Sequence, residues 1–516
     1  MTTDTLAPDP VETGSEPARW RRVPAELVVF LVALVARMVP ALAGAGFGGL
    51  YRYDPGVYYT SGAALGFGRL PYADFVFLHP PAIMLVLSPF GWLGRATSDH
   101  AGFVAATIAF EMLGAVNAVL VMRIARRMGL ASRGAALGGV FYALWPGALS
   151  AEWELRLETL GNFCLLVGLL AWFAALETLS LRPVLLSGLA FGAASVVKIW
   201  FVVPLLVVLI ATALRRSVRG TVAFAVGAAV AIGVIAGPFF ALAPDAMWQM
   251  TVVQQVHRTP SRSPYHVRLG DMTGVHRLLP HLGSSASNLW FVVAGLIFVT
   301  VLVLAWHVAE ARIAVALAVV QLVVLAAVPS WFDFYADFAA PAAALCFAAA
   351  AARVPAHAAW GWTGWVERVR PFGWVPGTLV AVASVLALLF VEGYETGAFP
   401  SAQLSAAVAP ARCVQSDSPA ALIELNALSR GLRDGCQNWV DVTGRTYGID
   451  APTDGARRTH NPIWQRDLLD YLESGDAVIL LRPHHTGLST ATKDEIRRRG
   501  VLAQAGGFTV YRTGPG

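Results

Sequence analysis

The chain has few charged residues and almost no lysine. Only 14% of its 516 residues are charged, whereas 56% are hydrophobic, a balance that excludes an ordinary soluble protein. Lys198 and Lys493 are the only lysines, so the net charge of +5 depends on arginine. Lys198 is conspicuous because it lies deep in an apolar stretch.

Several motifs are also missing from the sequence. No His/Cys/Asp cluster has the spacing of metal ligands, so neither a metal nor another cofactor is indicated. No glycine-rich phosphate loop precedes a helix, so the use of a nucleotide sugar or ATP is not indicated. Nor is there a visible internal repeat, which transporters tend to show.

Cysteine is scarce, and the four cysteines divide into two pairs. Cys164 and Cys346 lie in apolar segments and are interpreted as small hydrophobic residues. Cys413 and Cys436 lie in the polar C-terminal part. Their spacing suits a disulfide if that part is extracytoplasmic.

Long apolar runs fill the first three-quarters of the chain and predict a polytopic membrane protein. One run, 184–214, decides the topology. As a single helix it would be about 46 Å long at 1.5 Å per residue, against a hydrocarbon core of about 30 Å. Arginines flank both ends, so the positive-inside rule places both ends in the cytoplasm. We therefore predict a hairpin of two spans with its turn near Lys198, and eleven spans in all: 25–45, 101–122, 135–151, 159–177, two in 184–214, 221–243, 289–306, 313–329, 338–353 and 375–393.

The same rule sorts the remaining loops and suggests three parts. Residues 1–24 are expected to form a cytoplasmic tail rather than a cleaved signal peptide, and residues 25–393 a transmembrane domain. Its external loop, 46–100, contains an apolar segment too short to span, interpreted as interfacial or re-entrant. Residues 394–516 are expected to form a small extracytoplasmic α/β domain, in which DAVILLRP and GGFTVYRT are strands and PAALIELNALSRGL and NPIWQRDLLDYLES are helices. The predicted fold class is thus an all-α polytopic protein of the plasma membrane with a C-terminal α/β domain.

The external loop concentrates polar and aromatic residues between Tyr51 and Pro81. Asp54 follows the first span within ten residues and is a candidate general base for an attacking hydroxyl. An Asx turn at Asp54-Pro55-Gly56 explains the same residues. Asp74 and Tyr58 belong to this loop and are candidates for a substrate cavity.

Other external loops supply candidate anion ligands, each with a plainer alternative. Lys198 either binds an anion at the membrane boundary or extends its ammonium group to the interface. His79 is a phosphate ligand or a structural histidine. Arg258 lies in a basic loop that is either a phosphate clamp or a solvated stretch.

Two further candidates for the cavity come from shorter external loops. Glu158 precedes a helix, where it either favours the helix dipole or points into an active site. Tyr335 lies in SWFDFYADF, where carboxylates among aromatics form a composition common in sugar sites.

Two charges are predicted within the membrane itself. Arg37 and Glu111 lie about 12 and 15 Å below the outer ends of their spans, at 1.5 Å per residue. Because an unpaired buried charge is costly, we expect them to form a structural pair.

The loop resembles a known family. A carboxylate just after the first span, followed by YYTSGAALGFGRLPYADFVFLHPP, is similar to the first external loop of GT-C-fold glycosyltransferases that use polyprenyl-phosphate sugars. The protein O-mannosyltransferase and aminoarabinose-transferase branches are closest, and the C-terminal part resembles the tails of actinobacterial cell-envelope transferases. The resemblance extends, with loose motifs, over most of residues 25–350.

The resemblance implies a role for individual residues. Asp54 would be the catalytic base, Lys198 and His79 would hold the lipid phosphate, and Glu158 would line the cavity. Pro55 follows Asp54 where the family commonly has a glutamate, which leaves the class of acceptor open.

The sequence therefore predicts a hexosyl- or pentosyltransferase, such as a mannosyl- or arabinofuranosyltransferase. It would move a sugar from a membrane-embedded polyprenyl-phosphate donor to a cell-envelope glycan, lipid or protein, and no nucleic-acid partner is expected. The alternatives are a lipid or sugar transporter and a non-catalytic assembly protein.

Overall fold

The computed structural model describes residues 24–43, 47, 52–178, 180–256, 263–273, 284–353, 399–447 and 455–513. They form a bundle of helices followed by a C-terminal α/β region. The predicted span 375–393 and Arg258 lie outside the described residues.

The bundle consists of helices of unequal length, several of them too short to cross a membrane. In chain order they are α1 (Ala25–Ala43), α2 (Asp54–Gly66), α3 (Ala82–Ala96), α4 (Asp99–Arg127), α5 (Ser132–Leu144), α6 (Pro146–Glu152), α7 (Leu157–Glu177), α8 (Arg182–Ser195), α9 (Val202–Arg215), α10 (Val218–Leu242), α11 (Pro244–Trp248), α12 (Gln254–Val256), α13 (Tyr265–Thr273), α14 (Ser284–Trp306), α15 (Arg312–Ala327) and α16 (Ala340–Arg353).

Seven helical segments in the described part of the chain are long and apolar enough to span a membrane. They are Ala25–Leu42, Asp99–Arg127, Leu157–Glu177, Val218–Leu242, Asn288–Trp306, Ala309–Ala327 and Asp333–Arg353. The prediction of a polytopic all-α membrane protein is confirmed.

Two of the apolar runs are divided into two helices in the structure. The run 184–214 forms a hairpin as expected, because α8 ends at Ser195 and α9 begins at Val202, with Lys198 in the turn. The predicted span 135–151 is instead broken into α5 and α6 at Pro146. Proline has no N–H to donate and its ring clashes with the preceding turn, so α5 ends before it.

The bundle has two chemically different ends. At one end Glu26 of α1 accepts hydrogen bonds from Arg123 and Arg126 of α4, at 2.7 and 2.9 Å, and Arg127 donates to Glu177 at 2.7 Å. Residues of the segments predicted as external, among them Asp54 and the turn at Lys198, come together at the opposite end, beside the C-terminal region.

The C-terminal region contains five short helices and one sheet. The helices are α17 (Ser401–Val408), α18 (Pro419–Glu424), α19 (Leu428–Arg433), α20 (Pro462–Glu473) and α21 (Thr490–Arg498), and the strands are β1 (Val414–Ser416), β2 (Ala477–Ile479), β3 (Val501–Ala505) and β4 (Phe508–Arg512).

The sheet has the order β1-β2-β4-β3, in which only β1 and β2 are parallel. The predicted strands and the predicted helix at NPIWQRDLLDYLES are present. The other predicted helix is split between α18 and α19 by Asn426, whose φ is 52°. Asparagine tolerates this left-handed conformation better than most residues.

The C-terminal region packs directly on α2 and α4. Gly56 permits the approach, because a Cβ at this position would lie 2.9 Å from the backbone nitrogen of Ala420. Ser429 donates its backbone N–H to the Asp99 carboxylate at 3.0 Å. Apolar side chains of both parts form one common core. Cys413 and Cys436 are joined in a disulfide with their Cα atoms 5.7 Å apart.

The expected pair of Arg37 with Glu111 is wrong in the described structure. Arg37 is fully buried and pairs with Glu152, at 2.9 Å from Arg37 Nε to Glu152 Oε2. Neither carboxylate oxygen of Glu111 has a hydrogen-bond partner among the described residues. Glu152 lies just beyond the predicted span 135–151, whereas α6 turns back into the bundle and buries it. Gly114 leaves the space, since a Cβ there would lie 2.5 Å from Arg37 Nε.

Candidate active site

A cavity of about 270 Å³ lies where the bundle meets the C-terminal region. Its walls come from the start of α2, the segment before α3, the α6–α7 connection, the α8–α9 turn, the segment before α16 and the C-terminal region. The charged and titratable residues that line it are Arg52, Tyr53, Asp54, Tyr58, His79, Arg156, Lys198, Tyr335, Asp441, Arg458, Arg482 and His485.

The cavity brings together most of the residues predicted for the site. Asp54, Tyr58, His79, Lys198 and Tyr335 line it. Glu158 lies directly behind, paired with Lys198. Asp74 does not reach this cavity, because its carboxylate accepts from Leu70 N at 2.7 Å in an exposed turn and lines a second cavity instead.

Asp54 is the first residue of α2, and its side chain reaches the cavity. Its Oδ2 accepts a hydrogen bond from Arg156 Nη1 at 2.7 Å. The Asp54 side chain is 37% exposed, whereas that of Arg156 is 1% exposed. A helix N-terminus also favours negative charge. The carboxylate is therefore fixed by a buried arginine and remains open to a ligand.

Arg156 belongs to a chain of ion pairs along one wall. It donates to Glu154 Oε2 at 2.8 Å, and its guanidinium lies 3.8 Å from the centre of the Phe334 ring. Arg52 forms a bidentate pair with Asp333 at 2.7 and 2.8 Å. Charge-assisted bonds of this kind hold planar groups in defined orientations.

Lys198 lies in the turn between α8 and α9 and is only 4% exposed. Its ammonium group pairs with Glu158 in the first turn of α7. It also lies 3.7 Å from the ring centre of Trp200 and 4.1 Å from that of Tyr335, distances at which cations and aromatic faces attract. The lysine therefore faces the cavity instead of extending to the surface.

His79 is held at the opposite wall by contacts to its ring and its backbone. Its ring packs edge-on against Tyr58, with ring centres 5.6 Å apart. Its carbonyl oxygen accepts from the Tyr72 hydroxyl at 2.7 Å. Tyr72 has a φ of 67°, unusual for an aromatic residue, so a strained turn positions this wall.

Comparison with known proteins adds an independent finding. Residues 77–330, just under half of the chain, match the family model of Glycosyltransferase family 87. The fold is similar to that of ArnT from Cupriavidus metallidurans in the apo state, with a TM-score of 0.57 and 15% identity over 95% of this chain and 99% of that one. The same ArnT bound to undecaprenyl phosphate aligns with a TM-score of 0.54 and 16% identity over the same shares of the two chains. No curated protein matches the sequence.

The chain has the GT-C fold, and residues 77–330 are similar to a glycosyltransferase family. The resemblance inferred from the opening loop is thereby confirmed.

The C-terminal region forms a further wall of the cavity. Asp417 is fully buried and accepts the backbone N–H groups of Leu481 and Arg482 at 2.6 and 2.9 Å. These bonds fix the segment that carries Arg482 and His485 into the cavity. Arg458 donates to the His485 carbonyl at 3.4 Å.

The electrostatics of this wall follow from its burial. Burial lowers the pKa of Arg482, although nearby carboxylates counteract part of the effect. Burial and the adjacent Arg482 lower the pKa of His485, which favours the neutral imidazole. Burial also raises the pKa of Asp441. Its Oδ1 accepts from the Tyr53 hydroxyl at 3.0 Å.

Sequence reasoning missed several of these residues. No pattern in the sequence links Arg156 or Arg52 to Asp54. Arg482 and His485 belong to RPHHTG after a predicted strand, which carries no recognisable motif. In the described part of the chain, no group of three or more His, Cys, Asp or Glu side chains is arranged to hold a metal.

Proposed function

We propose that the protein transfers a sugar from a polyprenyl-phosphate donor to a hydroxyl group of a cell-envelope acceptor on the extracytoplasmic face of the membrane. The observation that carries the proposal is the single cavity that joins the Asp54 carboxylate to a set of buried cations. The ArnT structure with bound undecaprenyl phosphate supports the choice of donor.

The lining favours an anionic ligand. It contains the cations Arg52, Arg156, Lys198, Arg458 and Arg482, against the carboxylates Asp54 and Asp441. Arg52, Arg156 and Lys198 each also pair with a carboxylate behind the wall, so a donor phosphate would share these cations with those carboxylates. We assign Lys198, His79 and Arg482 to the donor phosphate, and Arg258 as a further ligand from the loop outside the described residues.

The donor lipid would keep its prenyl chain in the membrane while its phosphate enters the cavity. Phosphate would then take the place of Glu158 as the principal partner of Lys198, and Glu158 would remain beside the cavity. The aromatic rings of Tyr58 and Tyr335 offer apolar faces for the sugar. Mannose and arabinofuranose remain the proposed sugars.

The transfer step uses the groups at the two sides of the cavity. Asp54 takes the proton of the acceptor hydroxyl as its oxygen attacks the anomeric carbon. The bond from that carbon to the phosphate oxygen breaks, and polyprenyl phosphate departs with the electron pair. Lys198 and Arg482 stabilise the negative charge that develops on it. The acceptor enters beside Asp54 and Pro55, the position at which this chain departs from the family pattern.

The proposal is tested by replacing Asp54 with Asn in the full-length protein in detergent. Transfer is measured from polyprenyl-phosphate mannose and polyprenyl-phosphate arabinofuranose to octyl glycosides. Asparagine still offers an oxygen to Arg156 but cannot take a proton. We expect kcat to fall about 10²- to 10⁴-fold, the usual contribution of a general base, with the donor KM unchanged.

Asp470→Asn is the matched control, because Asp470 is exposed on α20 and far from the cavity lining; it should retain full activity. Normal transfer by Asp54→Asn would refute the role of the base. If the wild type transfers neither sugar but moves the lipid-linked sugar across vesicle membranes, the protein is a carrier instead.

A further inference from the structure

A second cavity, of about 400 Å³, lies beside the candidate active site. Its volume falls within the range of small-molecule sites, roughly 300–1,000 Å³. One wall is the segment between α2 and α3, including Arg69 and Asp74, and the other is the C-terminal region from Leu432 to Arg445. The cavity therefore exists only because the two parts of the protein pack together.

The two cavities share Asp441. One of its oxygens, Oδ1, accepts from the Tyr53 hydroxyl, from Gly444 N at 2.7 Å and from Thr443 Oγ1 at 3.2 Å. These bonds fix the Asp441 carboxylate where the two cavities meet, and none of the three involves Oδ2. A ligand that extends from Asp54 past Asp441 would enter the second cavity.

Four polar side chains lining the second cavity make no side-chain hydrogen bond within the described residues: Arg69, Gln437, Asn438 and Arg445. They approach from both walls and combine guanidinium and amide groups, which donate or accept hydrogen bonds in several directions. Asn438 Oδ1 is buried without a hydrogen-bond partner in the described structure, whereas the side chains of Arg69, Gln437 and Arg445 are exposed and available to a ligand. Polar groups arranged in this way around a concave surface favour a ligand rich in hydrogen-bonding groups.

The charges of this lining balance. Arg69 and Arg445 face Asp74 and Asp441 within the same cavity. The balance disfavours a strongly charged ligand and favours a neutral one with many hydroxyl groups. A sugar chain meets both conditions.

We propose that the second cavity is a subsite for the neutral sugar chain of the acceptor, which extends from the reacting hydroxyl past Asp441. This inference rests on the proposed function, because it takes the acceptor end of the chain to lie at Asp54. The acceptor is accordingly an oligosaccharide or a glycan-bearing molecule, bound through two or more of its sugar units.

The test measures binding to the full-length protein in detergent by saturation-transfer NMR. The probes are neutral trisaccharides of mannose, arabinofuranose, glucose or galactose, with inorganic phosphate as a competitor. We expect the wild type to bind at least one trisaccharide and phosphate not to displace it. Gln437→Leu and Arg69→Met, on opposite walls, should each weaken binding about fivefold, the effect of one lost hydrogen bond.

Matched substitutions at exposed sites outside the cavity, Gln504→Leu and Arg466→Met, should leave binding unchanged. The proposal is overturned if no trisaccharide binds, if both cavity variants bind like the wild type, or if phosphate displaces the sugar.

A kinetic measurement separates this inference from the proposed function. With octyl glycosides as acceptors, Gln437→Leu should raise KM for a trisaccharide acceptor but not for a monosaccharide, with kcat unchanged. Transfer by the wild type with no change in either variant would refute the subsite alone. Trisaccharide binding without transfer would refute the proposed function and leave the subsite standing.

Discussion

The buried pair of Arg37 and Glu152 provides a quantitative test of the bundle. Both side chains are 0% exposed. Glu152 accepts from Arg37, from Asn117 Nδ2 at 2.8 Å and from the Tyr142 hydroxyl at 2.8 Å. Arg37 also donates Nη1 to the Ala33 carbonyl at 2.9 Å. Among the described residues, the carboxylate is therefore the only negatively charged hydrogen-bond partner of a guanidinium that otherwise donates to carbonyl groups.

Replacing Glu152 with Gln removes the negative charge and leaves the Arg37 charge uncompensated. Breaking a buried pair in this way costs about 3–5 kcal/mol. The double variant Arg37→Met/Glu152→Met removes both charges, and replacing a buried pair by apolar residues is often neutral or stabilising. It also loses the bonds of Glu152 to Asn117 and Tyr142 and those of Arg37 to the Ala33 and Ala143 carbonyls. We therefore expect the double variant to be more stable than Glu152→Gln alone, by about 1–3 kcal/mol, because these lost bonds offset only part of the cost of an unpaired buried charge.

Stability is measured by SDS titration of the full-length protein in mixed micelles, with intrinsic tryptophan fluorescence as the signal. Glu111→Gln is the matched control, because Glu111 lies in the same bundle and pairs with no arginine in the described structure. It should shift the midpoint far less than Glu152→Gln does. Equal midpoints for Glu152→Gln and the wild type, or a double variant less stable than Glu152→Gln, would show that the pairing is misassigned.

Two further predictions concern the C-terminal wall of the cavity. Arg482→Gln should raise the donor KM about tenfold or more, because a hydrogen bond to a charged group contributes about 1.5–3 kcal/mol. The control Arg466→Gln replaces an exposed arginine and should leave the donor KM unchanged. An unchanged KM for Arg482→Gln would show that Arg482 does not bind the phosphate. Burial raises the pKa of Asp417 from its ordinary 3.8 to about 6, so its contribution to stability is present below about pH 4 and is lost as the pH rises through about 6. The thermal-unfolding midpoint of the wild type minus that of Asp417→Asn should therefore decrease between pH 4 and 7. An increase in this difference with pH would contradict the prediction.

The sequence predicted those features that follow from local composition. Long apolar runs identify membrane helices without reference to their neighbours, and arginine at both ends of 184–214 was sufficient to predict the hairpin around Lys198. Asp54 was identifiable because a carboxylate is unusual so soon after an apolar span. The split of 135–151 at Pro146 was also readable in principle, since proline interrupts a helix by a local effect.

Contacts between distant segments were harder to predict from the sequence. Arg37 was correctly expected to need a partner, but depth along the helix does not specify which neighbour faces it. The partner came from α6, a short helix whose return into the bundle depends on packing. Asp74 shares a loop with Asp54, yet the turn after α2 directs it to the second cavity.

The sequence by itself determined that this is a multi-span membrane protein with a polar loop after its first apolar span, because hydrophobicity and charge act residue by residue. Only the tertiary structure decided that Arg156 fixes Asp54, that Glu158 pairs with Lys198, and that Arg482 and Asp441 complete the walls. Those residues are up to several hundred positions apart, and their charges acquire a role only when packing removes water and brings them within hydrogen-bonding distance.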